Sequence, residues 1–414
     1  MSSQRYRSYL LCVLLAIMAF NLVDRQALGI VLQDLEHDLH LSDTQLGLLS
    51  GIAFAAFYSV MGIPIARWAD RGNRVAIIAT CCALWSVAVA LCATAGSFWQ
   101  LLAIRVGAAV GEAGCIPPSH SLIADEFSRE ERPRAFARYM LGGPLSVVIG
   151  NSVAGWLNQF YGWRTTFVAL GVPGVLLAVL AAVSLKEPRS QQARPPERGP
   201  DLRCVAATLW TNTTFLHLLL AFAVMFFFSY GVWQWVPAFF VRSHGLRTGE
   251  IGTWFAVAWG AGGLLGTYWG GELAARYAPD DERLQLRAIA ILVAVVGVLI
   301  SCIFIARSHY VAFALMAVAA VAWSATYGPL FAAIQAVVQP EIRAVSIAVV
   351  FLFANLIGMG IGPLAAGMIS DALAPWAGAE SLRYALLCLS PGYLWGAWHL
   401  WRASGSLAHD LVRV

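Results

Sequence analysis

Charge is what this sequence has least of. Only 12% of its 414 residues are Asp, Glu, Lys or Arg, against about 25% in soluble domains. Hydrophobic residues make up 59%, and mean hydropathy is +0.69. One water-soluble core cannot hide that much apolar surface, so a soluble globular fold is excluded. The phosphate loop G-x-x-x-x-G-K-[ST] is missing, which argues against ATP-driven chemistry in this chain. H-E-x-x-H and G-x-S-x-G are missing too. An intramembrane enzyme would need a nucleophile or metal ligands facing a shared cavity, so the chain is not read as an enzyme. The eight cysteines include no C-x-x-C pair, and Cys81 and Cys82 are neighbours. They read as small apolar packing residues, with no disulfide, metal or cofactor expected. The net charge of +4 forms no compact basic patch for nucleic acid.

What is present is a series of long oily runs. Twelve lie near residues 8–31, 45–66, 75–95, 99–122, 136–157, 165–185, 213–240, 251–271, 287–306, 310–337, 345–369 and 382–401. A membrane helix needs about 20 apolar residues. Membrane strands are shorter and alternate, and these runs do neither. The first run is too long and too charged for a cleaved leader. The expected fold is an all-α membrane protein with twelve transmembrane helices in two pseudo-symmetric six-helix bundles.

Orientation follows from the basic residues of the connections. Twenty lie on the side of the N-terminus and five on the other. Both termini are therefore expected in the cytoplasm. A bacterial inner membrane protein, acting as a monomer among membrane lipids, is the expectation.

The one long polar stretch, KEPRSQQARPPERGPDLR at 186–203, is rich in proline and charge and reads as a linker. It sets expected boundaries at 1–185 for the first bundle, 186–207 for the linker and 208–414 for the second bundle. The halves echo each other. Arg71 and Arg276 stand 205 residues apart, and Arg134 and Arg343 stand 209 apart, each pair in corresponding loops. Internal repeats of this kind build secondary transporters; a passive channel lacks that rationale. Glycines four apart at Gly107 and Gly111, at Gly262, Gly266 and Gly270, and at Gly358 and Gly362 fit close helix packing. Pro117 and Pro118 permit a bend in span 4.

Four charges fall well inside spans: Asp24 and Arg25 in span 1, and Arg105 and Glu112 in span 4. Each costs about 2.5–3.5 kcal/mol to place there, and together they sum to zero. At about 1.5 Å per residue, Asp24 and Arg105 come to similar depths, with Glu112 nearer the middle. Arg105 and Glu112, seven apart, share a helix face. Arginine stays charged while a carboxylate can be protonated. Moving an arginine towards or away from a carboxylate would therefore bind or release a proton. The alternative is a static neutral cluster that ties spans 1 and 4. Arg25 or Arg105 could instead grip a phosphate or carboxylate on a cargo. His217, in span 7, reads as a hydrogen-bonded packing residue or a fifth titrating group. In FFFSYGVWQWVPAFF, 226–240, Tyr230, Trp233, Gln234 and Trp235 are candidate cavity residues, as is Tyr327 in span 10. An interfacial aromatic belt would explain span 7 equally well.

These motifs resemble a known family. The loop D-R-G-N-R, 70–74, is similar to the G-x-L-A-D-R-x-G-R-K signature of the major facilitator superfamily, with Asp70, Arg71 and Arg74 matching. Ala66, Asn73 and Val75 depart from it. Arg105 matches the family's span-4 arginine, and GWR at 162–164 and G-P-x-x-x-G-x-x-x-D at 362–371 also match. Within the superfamily, N-x-x-D-R at 21–25, G-E-A at 111–113 and LIADEF at 122–127 resemble Spinster-type lipid transporters. The resemblance implies two bundles, a central cavity and alternating access. It implies a lysophospholipid or sphingolipid cargo, and proton coupling through Asp24, Arg25 and Glu112. It also implies a cytoplasmic latch at Asp70, Arg71 and Arg74. Transport of a small organic anion or drug by a similar scaffold stays open.

Overall fold

The computed structural model describes residues 3–128, 131–188, 208–278, 281–339 and 342–410. The expected linker falls almost wholly on 189–207, outside the described residues, and so do the side chains of Asp70 and Arg71. Among the described residues the regular elements are helices, with no strand.

Small polar residues start several of the helices. Ser3 accepts from the Tyr6 amide, Asn73 from Ala76, Ser97 from Gln100, Asn212 from Phe215 and Asp281 from Leu284. Each fills an orphan donor that a helix start leaves open. The repeat is visible here as well. Asn212 stands 209 residues after Ser3, and Asp281 stands 208 after Asn73. At the other end of the first helix, Gln4–Leu39, His40 turns left-handed with φ 52° and closes it.

Nine helical stretches among the described residues are long and apolar enough to cross a bilayer. Two of them, Arg134–Ser184 and Val345–Ala408, run to 51 and 64 residues. Each exceeds twice the crossing length of about 20 residues. Gly162 (φ 77°) interrupts the first and Gly378 (φ 55°) the second, both in a region that L side chains avoid. A further run continues from Thr248–Phe255 through the π-helical Ala256–Ala261 into Gly262–Tyr277. It is richer in glycine and aromatics than in aliphatics. With the two long stretches divided and this run added, the helical segments of membrane-crossing length among the described residues number twelve.

The contacts divide the chain into two units. The first is Met1–Pro195 with Gly245–Ala256; the second is Pro196–His244 with Val257–Val414. In the second unit the helix Gly262–Tyr277 lies against His309–Ala325. A Cβ on Gly262, Gly266 or Gly270 would come within 2.9, 2.2 and 2.3 Å of the carbonyl oxygens of Ala317, Val321 and Ala325. Only a bare backbone permits that approach. Gly107 differs from expectation: open space surrounds it, while Gly111 alone presses on Trp85.

In the first unit the segment Thr248–Phe255 packs on the long helix Gly142–Ser184. A Cβ on Gly252 would sit 2.1 Å from the Asn151 carbonyl oxygen, and one on Gly155 would sit 2.4 Å from that of Thr248. The Thr248 hydroxyl donates to Gly155 O at 3.0 Å, and Trp156 Nε1 donates to Thr253 Oγ1 at 3.0 Å. Asn158 joins Thr248 to Asp34 of the first helix. Gly252→Val is therefore expected to lift this segment away. Labelling of Thr248→Cys by a membrane-impermeant maleimide should then rise roughly fivefold or more, matching the ~1 kcal/mol lower bound of an overpacking penalty.

Outside the spans, the Ser128 backbone N–H donates to Glu131, and Arg7 pairs with the same carboxylate at 2.5 Å. Both hold the Glu131 carboxyl below its usual range.

Candidate functional site

All four intramembrane charges meet in the first unit. The Phe98–Glu112 helix ends where it does because Pro117 and Pro118 supply no donors to the next turn. Glu112 is its last residue, beside the break. The Asn21 side-chain amide donates to the Glu112 carbonyl at 3.5 Å from the first helix.

The pairing is crossed. Arg105 donates through Nη1 to Asp24 Oδ2 at 2.5 Å, and both side chains are 2% exposed. Arg25 donates through Nε to Glu112 Oε2 at 2.9 Å. Glu112 has no exposure, while Arg25 retains 21%. Adjacent residues on one helix thus bond residues seven apart on the other. Each carboxylate uses one oxygen in its ion pair. The remaining oxygens, Asp24 Oδ1 and Glu112 Oε1, are buried without a hydrogen-bond partner among the described residues. Buried polar atoms are rarely left so.

Aromatic rings cap the quartet. The Arg25 guanidinium lies 4.6 Å from the Phe54 ring centroid and 4.7 Å from that of Tyr58. Arg105 lies 5.4 Å from Phe54. Phe54 and Tyr58, one helical turn apart, stack at 5.8 Å. The ring faces offer both cations a second, electrostatic contact and hold Arg25 within reach of Glu112.

The second unit holds the aromatic candidates. Trp323 Nε1 donates to the Tyr327 hydroxyl at 2.9 Å. Tyr230 lies against Phe226, and Trp233 against Trp259 at 4.0 Å between centroids. The Gln234 amide nitrogen is buried without a hydrogen-bond partner among the described residues. Trp235 departs from expectation. It has no exposure, and its indole donates to the Pro363 carbonyl at 3.0 Å. It packs Trp235 against the Gly362–Ala377 helix rather than lining a cavity. His217 is hydrogen-bonded, with its Nδ1 3.0 Å from His399 Nδ1.

Arg74 is fully buried. It reaches Asp125 at 2.6 Å, Ser121 at 2.8 Å and Glu187 at 2.5 Å. Its own backbone N–H also donates to Glu187 at 2.6 Å. All three partners belong to the first unit.

The family model described as Major Facilitator Superfamily matches residues 12–379. This chain belongs to the major facilitator superfamily. An MFS-type efflux pump of Mycolicibacterium smegmatis is 34% identical over 405 residues, covering 97% of this chain and 93% of that protein. Protein spinster homolog 1 of Xenopus tropicalis is 23% identical, covering 96% and 81%. A bacterial homologue of the human lysosomal transporter Spinster, crystallised inward-facing and unoccupied, superposes with a TM-score of 0.89. It is 30% identical, and each chain is covered in full. The chain is thus a multi-pass membrane transporter of this superfamily with similarity to Spinster.

Within that superfamily frame, the sequence pointed to the four charges because each is costly in a span. It missed Phe54 and Tyr58, whose spacing of four in AFAAFYSV was the available signal. It missed Glu187 and Asp125 as partners of Arg74, and His399 as the partner of His217. Those contacts join residues 51 to 182 positions apart, and no local pattern announces them.

Proposed function

We propose that this chain is a proton-coupled secondary transporter. Its cargo is an amphiphile of lysophospholipid or sphingolipid type, moved by alternating access. The observation that carries this reading is the crossed pairing of Asp24 with Arg105 and of Arg25 with Glu112. The similarity to Spinster homologues supports the cargo class.

The four residues divide into two roles. Arg105 and Asp24, both almost fully buried, form the fixed pair. Arg25 is the exchangeable partner because part of it is exposed. A proton added to a Glu112 carboxylate oxygen removes the charge that holds Arg25. The freed guanidinium then presents its fork to a phosphate or carboxylate on the cargo. Cargo departure returns Arg25 to Glu112, and the proton leaves. Tyr230, Trp233, Gln234 and Tyr327 are assigned to the cargo's apolar body and polar shoulder. Arg74 is assigned, with Asp70 and Arg71, to the cytoplasmic gate, where it pins Glu187 at the start of the linker region. The twenty-to-five distribution of basic residues supports a bacterial inner-membrane setting with both termini cytoplasmic. A monomer suffices, with protons, cargo and membrane lipids as its partners.

The efflux pump among the relatives favours one competing reading, export of a drug or a small organic anion. Reconstitution into proteoliposomes separates the two. With an imposed pH gradient, labelled lysophosphatidylglycerol should move at a rate well above that of empty vesicles, while a hydrophilic organic anion and a cationic dye should not. Movement of the dye or the anion alone would select the competing reading.

A further inference from the structure

A cavity of about 440 Å³ opens at one end of the second unit, where Thr213–Trp233 begins and Gly392–Asp410 approaches its end. Arg287, Arg402, His217, Thr213, Ser404 and Ser406 line it, with Trp401. Two arginines, a histidine and three hydroxyl residues therefore line one space, with the Ser404 and Ser406 hydroxyls donating to the Trp401 and Ala403 carbonyls. No carboxylate lines it among the described residues.

Neither Arg287 nor Arg402 forms an ion pair among the described residues. Arg287 Nε is buried without a hydrogen-bond partner among the described residues. Stacking holds both heads in place without using their N–H groups. Arg287 lies 5.2 Å from the Trp401 ring centroid and Arg402 lies 5.9 Å from that of Trp398. His217 is fixed through its bond to His399. Two held forks of unused donors match the oxygens of a tetrahedral anion.

The surroundings suit a bilayer edge. Trp395, Trp398 and Trp401 are each about half exposed along the last helix. Exposed tryptophans near helix ends mark the headgroup level. Basic pockets between membrane helices at that level take lipid phosphates. In the sequence Arg287 and Arg402 stand 115 positions apart beside two different loops; the cavity brings them together.

We propose that this cavity is a binding site for a phosphate group, carried by the headgroup of an anionic phospholipid or free in solution. It is separate from the charge quartet, which lies in the other unit, and does not depend on the transport reading.

The test uses the full chain in phosphatidylcholine nanodiscs. One arm titrates fluorescent phosphatidylglycerol, and the other measures inorganic phosphate binding by calorimetry. Saturable binding is expected in one arm, and that arm identifies the source of the phosphate. R402Q should weaken it roughly fivefold, and R287Q/R402Q about 25-fold, from the share of each basic residue at a membrane surface. Arg402 is exposed and, among the described residues, its one contact is with the Trp398 ring, so R402Q should melt like the wild type. An R402K variant should retain most of the binding. No saturable binding in either arm overturns the site. So does unchanged affinity in R402Q and in the double variant.

Discussion

Glu112→Gln is expected to abolish proton-driven accumulation of cargo while leaving the protein folded and able to exchange cargo. A gradient of two pH units is worth about 2.7 kcal/mol per proton. With one proton coupled to each cargo molecule, the wild type should reach an accumulation ratio of about 100. The amide keeps the size of the carboxylate and cannot release a proton, so the ratio should fall to about 1. The substitution leaves Arg25 without its carboxylate, but that guanidinium is 21% exposed and lies over Phe54 and Tyr58. Solvent and the rings can take the charge, so folding should survive. Counterflow of preloaded cargo without a gradient should persist within severalfold of the wild type. Accumulation at the wild-type ratio by the Gln variant would remove Glu112 from the coupling step. Loss of counterflow as well would make Glu112 a structural residue.

The same pair shows what the sequence could and could not say. Two charges in one oily run and two in another need each other, because an isolated charge in hydrocarbon is too costly. That much requires no structure. Depth arithmetic even brought Asp24 level with Arg105. Which residue bonds which depends on helix rotation and crossing angle, and neither is written in spacing. The aromatic cap was hidden for a related reason. An i, i+4 pair of rings on a membrane helix reads equally as a lipid-facing stripe, and only packing tells Phe54 and Tyr58 from Trp395 and Trp398. The helix starts at Ser3, Asn73, Ser97, Asn212 and Asp281 rest on local capping chemistry. The grouping of Gly245–Ala256 with the first unit was not legible at all. It rests on close approach of Gly252 and Gly155 to backbone carbonyls far away in sequence.

Arg105→Met should be the most destabilising of the single changes in the quartet. It strands Asp24, which is buried at 1% exposure and bonded to Arg105 at 2.5 Å. Removing one member of a buried pair typically costs about 3–5 kcal/mol. Asp24→Asn should cost a comparable amount, because Arg105 cannot shed its charge. The double variant Asp24→Asn/Arg105→Met leaves no buried charge behind and should recover most of the loss. A double-mutant cycle from thermal or denaturant unfolding in one detergent should give a coupling of about 2 kcal/mol or more. Additive single effects would mean that water or another group already satisfies Asp24. The recovered stability then bears on why the charges are there. Apolar residues of similar volume would hold spans 1 and 4 at least as well as a buried ion pair. If the double variant is stable but carries no cargo, the pair cannot be explained as glue. Its role must be to fix the electrostatic setting in which Glu112 and Arg25 can part and rejoin, and the quartet is then an exchange device with one anchored half and one mobile half.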